Sequence, residues 1–169
     1  VEEKVTDLDN GMRVVVKRRG YLPLVSVTMV MPGGLRSETK DNNGISRLTA
    51  SLAVKGTSDR DADEILPALE MMGAEMGTFS GLNSLGVNLD IIAKDLPEGL
   101  DIFEDVVMNA TFPEFEIEKQ KEKAIALIQE QEKDIFQNGV INLRKELYGD
   151  HPYSMRVLGR VEAVRSLDR

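Results

Sequence analysis

The sequence predicts an α+β domain, an antiparallel β-sheet with helices packed on one face. Two patterns predict it. Alternating apolar runs come in pairs joined by turn signals, at Asp9-Asn10-Gly11 and at Gly81-Leu82-Asn83, as antiparallel hairpins do. Between and after these pairs, apolar residues recur every three or four positions, as they do in amphipathic helices. The order is strands, helices, strands, helices within 169 residues, a length that buries one core, so one domain is expected over residues 1–169.

Residues 4–8 and 12–17 flank Asn10-Gly11 and read as the first hairpin. Residues 24–31, apolar at nearly every position, read as a central strand covered on one face and partly on the other. Pro32-Gly33-Gly34 ends that strand, and residues 36–43 read as a polar loop. Ile45, Leu48 and Leu52 then fall on one stripe of a helix ending at Gly56, and that stripe should hold it on the sheet. A second helix is expected from Thr57 or Ser58 to Gly73, with Asp59, Asp61, Asp63 and Glu64 crowding the dipole's positive end. Pro67 should kink it or mark a late start. Residues 74–80 and 84–93 form the second hairpin, where Leu85, Val87, Leu89 and Ile91 alternate with polar or small residues and leave one face wet. Helices follow over residues 97–108, 114–137 and 140–148, with a short one within 161–167. The apolar stripe of the longest runs through Ile117, Ala124, Leu127 or Ile128, and Ile135.

Composition closes several functional classes. The chain has no cysteine, which excludes disulfides, thiolate metal sites and a cysteine nucleophile. Its net charge of −8 is spread among interleaved acids and bases, so nothing attracts a phosphate backbone and nucleic acid is not expected as a partner. No apolar run is long enough to span a membrane, and no signal peptide opens the chain. The chain opens on Val1 and stops at Arg169 without a cap, which suggests a piece of a longer polypeptide. Its compartment stays open, with bacterial periplasm or cytoplasm expected before membrane.

The stretch from Gly44 to Thr57 resembles the helix of an inverted zinc-protease motif, His-x-x-Glu-His, with its three chemical positions replaced. In that motif two histidines four residues apart share a helical face and hold one zinc ion, while the glutamate polarises the bound water. The corresponding residues are Arg47, Ala50 and Ser51: a permanent cation, a methyl group and a weak ligand. The only histidine, His151, stands far away and reads as a capping or packing residue. No metal site and no catalytic residue are therefore expected here. The serines lack a nucleophile elbow, and the glycines fit neither a phosphate loop nor a dinucleotide fingerprint. The carboxylate pairs Glu114 with Glu116 and Glu130 with Glu132 read as solvated helix surface.

Five pieces, in order, resemble the insulinase/pitrilysin family, the inverzincins: residues 8–14, Gly34-Leu35-Arg36-Ser37-Glu38, the Gly44 to Thr57 helix, Gly73-Ala74, and Tyr148-Gly149-Asp150-His151-Pro152-Tyr153 through Leu158-Gly159. The resemblance implies the metallopeptidase-half architecture, a sheet with helices on it. It also implies that homologous halves, each of two such domains, close around a chamber, one half carrying zinc and the other a degenerate motif. Arg47, Ala50 and Ser51 put this chain with the degenerate halves, as the first domain of a non-catalytic half. No cofactor is then expected in this domain, and zinc is expected in the catalytic half, whether in the same chain or in a partner subunit. The family's third zinc ligand is a glutamate on the later long helix, for which Glu122 and Glu130 are the candidates. With the histidines gone, Arg47 is expected to pair with one of them, an ion pair replacing a metal bridge. In active halves an edge strand takes up extended peptide by strand addition, and the matching segment here is Gly77, Thr78, Phe79 and Ser80, with unfolded peptide as the ligand. The alternative function is a structural subunit resembling the core proteins of the mitochondrial respiratory bc1 complex, without proteolysis.

Overall fold

The computed structural model describes residues 2–169; Val1, within the expected 1–169 domain, lies outside the described residues. In chain order the elements are β1 (Glu2–Asp7), β2 (Arg13–Arg18), β3 (Leu24–Pro32), α1 (Ile45–Ala53), α2 (Ala62–Met71), β4 (Glu75–Ser80), β5 (Ser84–Ile92), α3 (Leu96–Met108), α4 (Glu114–Lys133), α5 (Ile135–Tyr148) and α6 (Val161–Ser166). The architecture is α+β, with antiparallel strands and the helices on one sheet face, as the sequence predicts.

Both hairpins form, but they build two sheets. β1 and β2 pair only with each other, around a turn in which Gly11 takes a positive φ of 83° and its N–H donates to the Leu8 carbonyl. The larger sheet has the order β3-β5-β4. β3 is therefore an outer strand, not the central one expected, and β5 holds the centre. The physical reason lies in its two faces. Val25, Val27 and Met29 pack toward the core, while Leu24 and Val30 are exposed on the opposite face, which no helix covers. An apolar run on both faces here marks an open sheet face rather than a central position.

The main core joins Val87, Leu89 and Ile91 of β5 to Ile65, Leu69 and Met72 from α2 and its end, and to Ile102, Phe103 and Val106 of α3. Gly99 lets α3 approach closely, since a Cβ there would stand 2.3 Å from Ile91 Cδ1. α2 starts later than Thr57 or Ser58 because residues 57–60 are taken by a turn in which Thr57 N–H donates to the Arg60 carbonyl at 2.7 Å. Its cap is a reciprocal box: Asp61 accepts from Asp63 N–H and Glu64 N–H, and Glu64 accepts from Asp61 N–H. Pro67 sits inside the helix.

A second cluster packs Leu48 and Leu52 of α1 against Ile117 of α4, with Phe112 and Leu167. This corrects the expected role of the α1 stripe, which meets α4 rather than the sheet. Ile45 stands 38% exposed at the lip of an apolar groove. The face that lets α1 lie on β4 and β5 carries small residues instead: Ser46, Ala50 and Ala53 share one side at four- and three-residue spacing. The expected helix over 114–137 is also two. It breaks at Asp134, whose carboxylate accepts from Gln137 N–H and starts α5 five residues earlier than expected, so Ile135 is 89% exposed instead of packing.

Asp105, buried on α3, ties the α1–α2 connection to the core. It accepts from Thr57 Oγ1 at 2.6 Å, Arg60 Nη1 at 2.8 Å and Asn109 Nδ2 at 2.9 Å. Burial alone would raise its pKa, but the hydrogen bonds from Thr57, Asn109 and Arg60 and the field of Arg60 together hold the carboxyl below the usual aspartate range. Such a group contributes stability that is complete above its unfolded pKa of about 4 and is lost as the pH falls through the folded value. Asp105→Asn is expected to lower stability at neutral pH by about 2–3 kcal/mol, measured as a shift of the urea midpoint. The gap to wild type should close as the pH drops below about 4; a gap independent of pH would show that the charge is not its source.

Candidate functional site

The helix with the altered motif has no side-chain cap of its own. Its N-cap is Gly44, at φ 110°, where a Cβ would stand 2.9 Å from Val164 Cγ2 and 3.2 Å from Gly159 Cα. The missing cap comes from Glu38. This buried carboxylate accepts from Gly44 N–H at 2.8 Å, Ser46 N–H at 3.0 Å and Asn43 Nδ2 at 2.8 Å. Asn43 Nδ2 also donates to the Arg156 carbonyl at 3.0 Å. A negative charge thus meets the positive end of α1, and the segment around Arg156 and Gly159 locks against the same turn. The polar loop expected over residues 36–43 gives no sign of this buried group. Its only signal was Glu38's place in a piece shared with the inverzincins.

On α1 the three altered positions are held in different states. Ala50 is buried, Arg47 is half-buried, and Ser51 Oγ donates to the Leu48 carbonyl at 2.8 Å, so its hydroxyl is spent on its own helix. Arg47 makes no ion pair with Glu122 or Glu130, against expectation. Both carboxylates are exposed. The buried face of α4 is made of Ile117, Gln120, Lys121 and Ile128, and at 100° per residue Glu122 and Glu130 point about 140° away from Ile117.

The carboxylate that α4 does bury is Glu116, only 9% exposed, which corrects its expected place on solvated surface. It accepts from Lys119 Nζ at 2.8 Å and Gln120 Nε2 at 3.4 Å. The Lys119 bond, followed by that of Gln120 and the fields of Lys119 and Lys55, outweighs burial and keeps its pKa below the usual range. His151 acts as a cap, its Nδ1 accepting from Tyr153 N–H at 3.2 Å, and its ring stands edge-on to Tyr153 with centroids 4.5 Å apart.

Gly77, Thr78, Phe79 and Ser80 all lie on β4, an outer strand of its sheet. The Gly81 N–H donates to the Ser84 carbonyl at 2.8 Å, which sets the ladder's alternation. Gly77 and Phe79 therefore bond to β5, and Met76, Thr78 and Ser80 turn their N–H and C=O groups outward. The tip of this hairpin is fixed from β3's side: Gly33, Leu35 and Arg36 N–H donate to the carbonyls of Asn83, Gly81 and Leu82.

A family model described as Insulinase (Peptidase family M16) matches residues 13–159. The chain belongs to the M16 peptidase family. It is 30% identical over 169 residues to the mitochondrial cytochrome b-c1 complex subunit 1 of Bos taurus, covering 99% of this chain and 35% of that protein. To the mitochondrial-processing peptidase subunit beta of Bos taurus it is 29% identical over 168 residues, covering 99% of this chain and 34% of that protein. The M16 chain thus spans about a third of the length of these relatives. In structure it matches a peptidase M16 inactive domain from Pseudomonas fluorescens with a TM-score of 0.93 at 21% identity, over 99% of this chain and 41% of that one. A periplasmic protease of Escherichia coli matches with a TM-score of 0.85 at 15% identity, over 98% of this chain and 19% of that one. At the motif positions this M16 domain carries Arg47, Ala50 and Ser51 where the motif has His, Glu and His. The residues at the motif do not fit a zinc ion: Arg47 brings a like charge, Ala50 has no donor atom and Ser51 is engaged with Leu48. No helix among the described residues is long and apolar enough to cross a membrane.

Two measurements check this site. Glu38→Gln keeps an oxygen but removes the charge and turns an amide toward donors, and is expected to cost about 1.5–3 kcal/mol in urea unfolding, with α1 exchanging its amide protons faster. Restoring the motif with Arg47→His, Ala50→Glu and Ser51→His should still yield no stoichiometric zinc after dialysis, because α4 turns no carboxylate toward α1 near Ala124 and a catalytic site needs a third ligand. Retention of one zinc per chain would show that α4 can supply it.

Proposed function

We propose that this M16 domain is a non-catalytic part of a longer peptidase, helping to enclose peptide and to form the interface with a homologous half that carries the zinc. The observation that supports this is the combination of an α1 helix held in place with its chemistry removed and a neighbouring β4 edge left open. Glu38 and the 156–159 segment hold α1 although Arg47, Ala50 and Ser51 are not zinc-ligand types. Met76, Thr78 and Ser80 offer main-chain donors and acceptors in the pattern that an added strand requires. Such contacts read the backbone of an extended peptide and little of its sequence, so the ligand class is unfolded peptide.

A second reading has its own support. The relationship to cytochrome b-c1 complex subunit 1 covers 99% of this chain, and it supports a subunit of a larger complex. An intact His-x-x-Glu-His helix in the same polypeptide or in its partner separates the two, since only the peptidase reading requires one.

The test uses the full-length polypeptide with its catalytic half. A photo-crosslinking residue at Ser80 should label with an unfolded peptide. Thr78→Pro, which removes an outward N–H without breaking a ladder bond, should raise KM about 5–10-fold while kcat and the melting temperature hold. Absence of labelling together with unchanged KM would leave the structural-subunit reading standing alone.

A further inference from the structure

The chain contains three asparagine–glycine pairs, Asn10-Gly11, Asn43-Gly44 and Asn138-Gly139. In such a pair the glycine nitrogen can attack the asparagine side-chain carbonyl carbon, because the following residue has no Cβ to stand in the way. The fold sets the three pairs in different states. At Asn43, which is 0% exposed, one carboxylate holds both reacting groups: Asn43 Nδ2 and the Gly44 N–H each donate to Glu38 Oε2 at 2.8 Å. At Asn138, inside α5, Nδ2 donates to the Glu132 carbonyl at 2.7 Å, which draws the side chain toward preceding residues and away from Gly139. Asn10 is exposed, in the turn between β1 and β2, and Gly11 has open space where a Cβ would stand. Its Oδ1 accepts from the Met12 N–H at 3.0 Å, a side-chain turn that folds Asn10 over the next peptide and brings Cγ beside the Gly11 nitrogen. The same N–H stabilises negative charge on Oδ1 as the carbonyl is attacked. One bond opposes the attack, since the Gly11 N–H donates to the Leu8 carbonyl at 2.9 Å, but a single exposed hydrogen bond is weak.

We propose that Asn10 is a site of spontaneous deamidation and that its conversion to isoaspartate opens the β1–β2 hairpin. The Gly11 nitrogen gives up its proton and bonds to Asn10 Cγ; the Cγ–Nδ2 bond breaks, and Nδ2 leaves with that proton as ammonia. Water then adds across one C–N bond of the resulting succinimide. Opening at Cγ gives aspartate, and opening at the main-chain carbonyl of Asn10 gives isoaspartate. The only co-reactant is water, and nothing is oxidised or reduced. Isoaspartate lengthens the main chain by one methylene inside the turn that fixes the Asp7 to Arg13 register. It also places a carboxylate beside Asp9. The hairpin has little else to hold it: β1 is exposed along its whole length, β2 is exposed at every residue but Val14, and a two-stranded sheet alone is marginal.

The experiment incubates the full-length polypeptide at mildly alkaline pH, folded and in urea, and follows each site by the mass gain from amide to acid in its peptide. In urea the three sites should convert at similar rates. In the folded protein Asn10 should keep its rate within a few-fold, while Asn43 and Asn138 should slow by at least about tenfold, since each must first open locally. Hydrogen exchange of the incubated protein should run about tenfold faster at the β1 and β2 amides and stay unchanged in β5. A freshly prepared Asn10→Asp variant carries the charge on an ordinary backbone and should keep wild-type protection, Asp-Gly suiting the same turn. Conversion of Asn10 in the folded protein as slow as that of Asn43 would overturn the proposal. So would isoaspartate at residue 10 with hairpin exchange unchanged, or an equal loss of protection in fresh Asn10→Asp, which would assign the opening to charge rather than to backbone length.

Discussion

The Glu38 carboxylate is buried with no ion-pair partner among the described residues, and the arrangement of α1 depends on it. Removing a carboxylate from water carries a large desolvation penalty unless its oxygens are bonded. Here three N–H groups do so, two of them from the first turn of α1, and the helix dipole adds its positive end. The glycines at 44 and 159 are needed for the same reason. Each would drive a Cβ into the other's backbone, so the loop before α1 and the segment before α6 meet only if both are glycine. Three separated pieces of sequence thereby position one helix.

That group was legible only as resemblance. Glu38, Gly44 and Gly159 all fall in pieces shared with the inverzincins, but their contact needs long-range geometry that periodicity does not carry. The elements with strong local signals fared better: the Asn10-Gly11 hairpin, the alternation along β5 and the capped start of α2 each have a single short-range cause. Strand order did not, because β3's apolar outer face looks the same in sequence whether a helix covers it or not. The break between α4 and α5 was readable in principle. Asp134 stands three residues before Gln137, the spacing of a capping box, but it is hidden among charged residues that also favour helix.

The expected pairing of Arg47 with Glu122 or Glu130 failed for a reason that the sequence already held. Ile117 and Ile128 define the inward face of α4, and neither glutamate lies on it. Glu116, beside Ile117, is the carboxylate that the helix buries, and it is satisfied by Lys119 and Gln120 of the same helix rather than by α1. Charge alone was a poor guide to which acid is inside; its angle from the apolar stripe was the better one.

The α1–α4 contact is apolar. Leu48 and Leu52 close on Ile117, with Phe112 and Leu167 at the margin. An ion pair between these helices would have had to lose the hydration of both partners, and buried pairs are often no more stabilising than apolar residues of similar volume. Apolar contact needs no metal and no particular protonation state, so the helix keeps its place on β4 and β5 under conditions that would strip a metal site.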